Sequence, residues 1–170
     1  MKEVKEKCGL FGVYNAPDAA KLTFLGLYSL QHRGEESCGI ISYDGSLFHY
    51  HRGMGLVNDI FNEETLHRLK GYASIGHVRY STTGSSVVKN MQPLFVDSRM
   101  LPLALAHNGN LVNSLSLREQ LEKKGAIFQT TSDSELILHL IRRSRKKTVI
   151  TKLEEALHKV KGAFSLLLLT

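Results

Sequence analysis

The sequence predicts an α+β fold in which antiparallel sheets are covered by helices, and three observations carry that prediction. Asp44-Gly45 joins two apolar segments as a hairpin turn, so the strands on either side of it are antiparallel. Capping boxes, a Ser or Thr with Glu three residues on, open helices at Ser116 with Glu119, Ser132 with Glu135, and Thr151 with Glu154. These helices fall between groups of short apolar segments, the pattern of sheets with helices layered over them.

Residues 1–7 are almost wholly charged and contain no turn chemistry, which predicts an unstructured leader. After it, Cys8-Gly9-Leu10-Phe11-Gly12 begins a strand, with Leu10, Phe11 and Val13 as its anchors. Asp18 is placed to cap a helix to about Leu30, whose apolar side is Leu22, Phe24 and Leu25. A dense polar loop, Gln31-His32-Arg33-Gly34-Glu35-Glu36-Ser37, leads into the strand of Cys38-Gly39-Ile40-Ile41, and residues 47–52 alternate as the returning strand. Asn62 and Glu63 open a short helix that Gly71 closes. Residues 72–78 then form a strand that delivers Arg79. A buried strand over 101–106 ends at His107-Asn108-Gly109-Asn110, and the helices of the three capping boxes follow. The run Ala163-Phe164-Ser165-Leu166-Leu167-Leu168-Leu169 reads as a strand buried on both faces, and stopping there would expose an apolar edge, so a truncated domain is expected.

A chain of 170 residues with 42% hydrophobic and 22% charged residues can bury the core of one domain. No run approaches the roughly 18 apolar residues of a membrane span, and the leader lacks a signal peptide's apolar segment, which predicts a cytoplasmic protein without membrane association. Cys8 and Cys38 form no Cys-x-x-Cys, and His49-x-His51 lacks a third ligand, so the two histidines are expected to face solvent and no metal is expected in this stretch. The net charge of +6 and pI near 9.4 invite a nucleic-acid reading, with five basic residues among the six of Arg142-Arg143-Ser144-Arg145-Lys146-Lys147. Cations gather at helix C-termini, however, and no aromatic residues interleave these, so a solvated helix end is the reading and nucleic acid is not an expected partner.

Four polar clusters remain to be explained. Cys8, if residues 1–7 were removed, would carry both a thiol and a free α-amine whose ordinary pKa of about 7.7 to 8.0 suits a general base. Arg79 offers a guanidinium fork for a carboxylate, Asn108 with Gly109 a pair of donors for an oxyanion, and Asp133 a partner for an ammonium group. Taken one at a time, Asn-Gly is a hairpin turn, Asp133 a helix N-terminal residue and Arg79 an ion-pair partner. Together they match the functional groups of glutamine.

The order and wording of five motifs resemble the class II glutamine amidotransferases, which are N-terminal nucleophile hydrolases. These are Cys8-Gly9-Leu10-Phe11-Gly12, the Gln31 to Ser37 loop, His77-Val78-Arg79-Tyr80-Ser81-Thr82-Thr83-Gly84, Ala106-His107-Asn108-Gly109-Asn110-Leu111, and Thr131-Ser132-Asp133-Ser134-Glu135. The resemblance implies a four-layer αββα sandwich of two antiparallel sheets, C-terminally incomplete, over residues 8–170, with 1–7 as a propeptide. It implies that Cys8 attacks the side-chain amide of glutamine, that Asn108 and Gly109 hold the oxyanion, and that Arg79 and Asp133 bind the α-carboxylate and α-ammonium. Tyr80 and Thr82 would line the site. A γ-glutamyl thioester and ammonia would follow.

The polar loop is most similar to the branch that passes this ammonia to phosphoribosyl pyrophosphate at the first step of purine synthesis, and the leader to its Bacillus-like form. That implies a further phosphoribosyltransferase domain using magnesium, a [4Fe-4S] cluster in the same missing part, and a homo-oligomer at full length. Cys38 departs from the small residue expected there. Other class II members such as glucosamine-6-phosphate synthase, asparagine synthetase and glutamate synthase share the glutaminase chemistry, and an inactive fragment serving as a binding module is a further alternative.

Overall fold

The structure, a computed structural model, describes residues 8–80 and 88–170. Thirteen elements organise them. Strand β1 (Gly9–Tyr14) is followed by helix α1 (Ala19–Ser29), then by the hairpin of β2 (Ser37–Tyr43) and β3 (Phe48–Met54). Two short helices, α2 (Val57–Ile60) and α3 (Glu63–Arg68), lead to β4 (Ala73–Arg79). The second half comprises β5 (Leu94–Val96), β6 (Leu103–Leu111), α4 (Ser114–Glu122), α5 (Ser134–Arg143), α6 (Val149–Leu157) and β7 (Gly162–Leu169).

The strands form two antiparallel sheets, one in the order β1-β4-β2-β3 and the other β5-β6-β7. Asp44 closes the hairpin as expected, its carboxylate accepting the N–H groups of Ser46 and Leu47 at 2.8 Å each. Period-two alternation then sorts side chains into layers. Along β6, Ala104 and Ala106 point into a core between the sheets with Ile41 and Ile75, while Leu103 and Leu105 point outward under the helices. Small alanines on the inner face let the sheets approach. The outer face of the first sheet is covered by α1, α2 and α3 through Leu27, Val57, Phe61 and Leu69 packed on Ile40 and Val78. The outer face of the second is covered by α4, α5 and α6 through Leu117, Leu121, Leu136, Ile137, Ile141 and Ala156. The result is the αββα sandwich.

Several local expectations are corrected. Asp18 precedes α1 but has a left-handed backbone and makes no capping bond, pairing instead with Lys21 at 3.7 Å. The face α1 buries is Ala19, Ala20, Thr23, Gly26 and Leu27, while Leu22 and Leu25 are exposed, because close approach to the sheet selects small residues. None of the three expected capping boxes closes reciprocally, although Ser132 Oγ accepts the Ser134 N–H at 3.3 Å. α4 starts two residues before Ser116, α6 is capped reciprocally by Thr148 and Thr151, and Glu135 turns back to the loop before α5. Asn62 does cap α3, with Thr65 as its reciprocal partner. His49 and His51 are half-buried and bonded, to the Asp44 carboxylate at 2.7 Å and the Ile60 carbonyl at 3.2 Å. β6 does not end at His107 but runs through Asn108 and Gly109, paired to β7 as far as Leu111. β7 is half-buried along Leu166 to Leu169 and is an edge strand. The basic run does follow the end of α5, with Arg142 and Arg143 in its last turn.

Candidate active site

The site forms where the ends of β1 and β4 in one sheet meet β6 in the other. Antiparallel pairing of Gly9 with Val78 places Cys8 beside the end of β4, and there the backbone of Tyr80 encloses its sulfur. The Tyr80 N–H donates to Cys8 Sγ at 3.4 Å, and Sγ donates to the Tyr80 carbonyl at 3.6 Å. The Cys8 carbonyl accepts from Arg33 Nε at 2.8 Å and from Asn108 Nδ2 at 3.3 Å. Cys8 itself has a φ of 149°, a backbone held by its surroundings.

Burial pushes the Cys8 thiol above its ordinary value, and the Tyr80 N–H, Arg79 and Arg33 oppose that while Glu36 adds to it. The thiol is therefore protonated at neutrality and requires a base to become a nucleophile. Among the described residues no histidine hydrogen-bonds Cys8 Sγ, and burial holds His77 at about 3 and pushes His107 down against the pull of Asp133.

Arg79 lies buried at the end of β4 and forms an ion pair with Glu36. The loop carrying Glu36 lies directly on that strand. A Cβ at Gly34 would be 2.7 Å from the Val78 backbone and 2.8 Å from that of Arg79, and the Glu36 N–H donates to the Arg79 carbonyl at 3.0 Å. Gly109 has a φ of 151°, and a Cβ there would lie 2.3 Å from the Ala163 carbonyl oxygen, so β6 reaches its partner only through glycine at this point. Asp133, just before α5, accepts the Leu111 N–H at 2.8 Å and has its other oxygen 3.7 Å from His107 Nδ1. Its partner Leu111 lies on the strand that carries Asn108, three residues farther along.

Of the residues singled out in the sequence, the structure brings Cys8, Arg79, Tyr80 and Asn108 to one place, with Gly109 next in β6 and Asp133 beyond it. Tyr80 contributes its backbone to the thiol, while the residue is 42% exposed. Thr82 lies outside the described residues, as does the leader of residues 1–7. Two participants were missed by residue-by-residue reading, Arg33 and Glu36. Both lie in the polar loop, signalled by its density of charge before a buried strand and by its place among the five motifs. A hollow of about 660 Å³ lined by Arg52, Phe95 and His139 contains neither Cys8 nor Asn108.

Known proteins resemble this chain in sequence and in fold. Residues 77–170 match the family model described as a glutamine amidotransferase domain. Amidophosphoribosyltransferase of Staphylococcus aureus is 48% identical over 168 residues, covering 98% of this chain and 34% of its own length. That of Lacticaseibacillus casei is 49% identical over 170 residues, covering 99% of this chain and 88% of its own. Among solved structures, the glutamine phosphoribosylpyrophosphate amidotransferase of B. subtilis, complexed with ADP and GMP, superposes with a TM-score of 0.88 at 44% identity, over 95% of this chain and 35% of that one. The chain belongs to the glutamine amidotransferase family, on its amidophosphoribosyltransferase branch. It spans about a third of the length of the Staphylococcus aureus relative.

Proposed function

We propose that this chain is the glutaminase part of an amidophosphoribosyltransferase, hydrolysing glutamine to glutamate and ammonia through a thioester on Cys8. The observation that carries the reading is the seat of Cys8. Its sulfur is held by Tyr80, its carbonyl by Asn108 Nδ2, and no imidazole hydrogen-bonds the thiol among the described residues. With residues 1–7 attached, the Cys8 nitrogen is an amide and cannot accept a proton, so those residues act as a propeptide and the unprocessed chain as a zymogen. Once they are removed, the α-amine takes the thiol proton, Sγ attacks the amide carbon, and Asn108 Nδ2 with the Gly109 N–H receives the developing oxyanion. The amine then returns the proton to the departing nitrogen. Ammonia leaves, and water cleaves the thioester to glutamate.

Arg79 binds the substrate α-carboxylate. A guanidinium has five donors in a plane and can hold Glu36 and a second carboxylate together. Asp133 takes the α-ammonium, and Tyr80 and Thr82 line the site. The remaining two thirds of the enzyme would use the ammonia with phosphoribosyl pyrophosphate to form 5-phosphoribosylamine, as a homo-oligomer in the cytoplasm. Two free cysteines fit that reducing compartment. In this reading magnesium and any [4Fe-4S] cluster belong to that larger part.

In the full-length, processed enzyme, Cys8→Ala should abolish glutamine-dependent synthesis and spare synthesis from free ammonia. Equal loss of both activities in a folded protein would refute the division.

A further inference from the structure

β6 carries Asn108, and the peptide group immediately before that residue is held in an unusual way. β5 pairs with β6 from Val96 opposite Leu103 to Leu94 opposite Leu105, and continuing that register would set Gln92 opposite His107. The ladder stops first, at Leu94, where the next residue is Pro93, whose nitrogen has no hydrogen to donate. Side chains take the place of the missing strand. Gln92 Oε1 accepts the His107 N–H at 2.8 Å, and His77 Nε2 lies 3.1 Å from the His107 carbonyl oxygen.

The second of these bonds crosses between the sheets. His77 belongs to β4, two residues before Arg79 and on the strand whose end encloses the Cys8 sulfur, and it is completely buried. A carbonyl can only accept, so the proton of the neutral imidazole is on Nε2. Nδ1 is then a bare acceptor, buried and without a partner among the described residues. An imidazole there leaves one polar atom unsatisfied and delivers one hydrogen bond. That bond falls on the carbonyl of the peptide that begins Asn108.

We infer that His77 is a positioning residue for the oxyanion donor, fixing the peptide before Asn108 on β6 to the strand that carries Arg79 and borders Cys8. The inference rests on the glutaminase reading. Both halves of the site, the thiol with its arginine on one sheet and the amide donor on the other, are set at one separation by this bond. Without it the His107 carbonyl loses its donor, and Asn108 Nδ2 no longer meets the oxyanion at hydrogen-bond distance in the transition state. Such a fault reduces turnover more than substrate affinity.

The test uses the full-length, processed enzyme. His77→Leu should lower kcat for glutamine by about 10- to 100-fold, with KM within about threefold and ammonia-dependent synthesis unchanged. His77→Gln, whose amide nitrogen reaches about as far as Nε2, should recover kcat to within about threefold of the parent. If His77→Leu does not fold, His77→Asn, whose shorter amide falls short of the carbonyl, replaces it as the loss variant. In an Asn108→Ala background the loss variant should cost less than about threefold further, because the group it positions is gone. Full additivity with Asn108→Ala, an effect confined to KM, or no better activity in His77→Gln than in the loss variant would each overturn the inference. Should Asn108→Ala itself leave kcat unchanged, the glutaminase assignment of Asn108 falls first, and the inference with it.

Discussion

Replacing Glu135 with Gln should destabilise the fold by about 3 kcal/mol at neutral pH and by much less in acid. The Glu135 carboxylate is almost buried and accepts the Gln129 N–H at 2.9 Å, the Thr130 N–H at 2.8 Å and the Thr130 hydroxyl at 2.7 Å. His139 Nε2 stands 3.5 Å away. Burial alone would push the carboxyl up, but these donors outweigh it and hold the group at about 2. The gap from an ordinary glutamate near 4.5, at about 1.36 kcal/mol per pH unit, gives roughly 3 kcal/mol in favour of the folded anion. The sign follows from proton uptake. Between pH 4.5 and 2 the unfolded chain binds the proton that the folded one excludes, so the stabilisation is complete above the unfolded value and is lost as pH falls through the folded one. At pH 3 less than half should remain. Denaturant unfolding of the parent and Glu135→Gln chains between pH 7 and 3 measures this, and hydrogen exchange at the Gln129 and Thr130 amides localises it. A stability gap equal at pH 7 and pH 3, or unchanged protection of those two amides, would refute the reasoning.

Two further outcomes concern catalysis, the first in the processed and the second in the unprocessed full-length enzyme. Asn108→Ala should lower kcat for glutamine by roughly 10² to 10³, whereas Arg79→Lys should mainly raise KM, since a single ammonium cannot replace a fork that pairs with Glu36 and, in the proposed reading, also holds the substrate carboxylate. Steady-state kinetics separates them, and a change in KM alone for Asn108→Ala would remove it from the oxyanion site. In protein whose intact mass shows residues 1–7 attached, glutamate release should be absent and alkylation of Cys8 slow at pH 7, because burial raises the thiol and no amine is present to deprotonate it. Glutaminase turnover at the trimmed rate in that protein would exclude the α-amine as base.

What the sequence determined by itself were the features encoded over a few adjacent residues. The Asp44-Gly45 hairpin, the cap at Asn62, the basic end of α5 and the motif at each polar cluster are local, because turn chemistry and helix termini act within one turn of chain. The αββα layering and the meeting of Cys8, Arg79 and Asn108 were legible only through the order of those motifs. Tertiary structure decided the rest. Three Ser or Thr to Glu spacings suggested capping, yet packing set where those helices begin and gave Glu135 to the loop before α5. Asn108-Gly109 has the composition of a turn but continues as strand, because β7 supplies partners as far as Leu111. Arg33 and Glu36 enter the site through contacts with Cys8 and with Arg79, 25 and 43 residues away along the chain. His77 binds the carbonyl before Asn108 from the opposite sheet, 30 residues from its partner, and no periodicity or local propensity encodes a bond between side chain and backbone that exists only once two sheets have packed face to face.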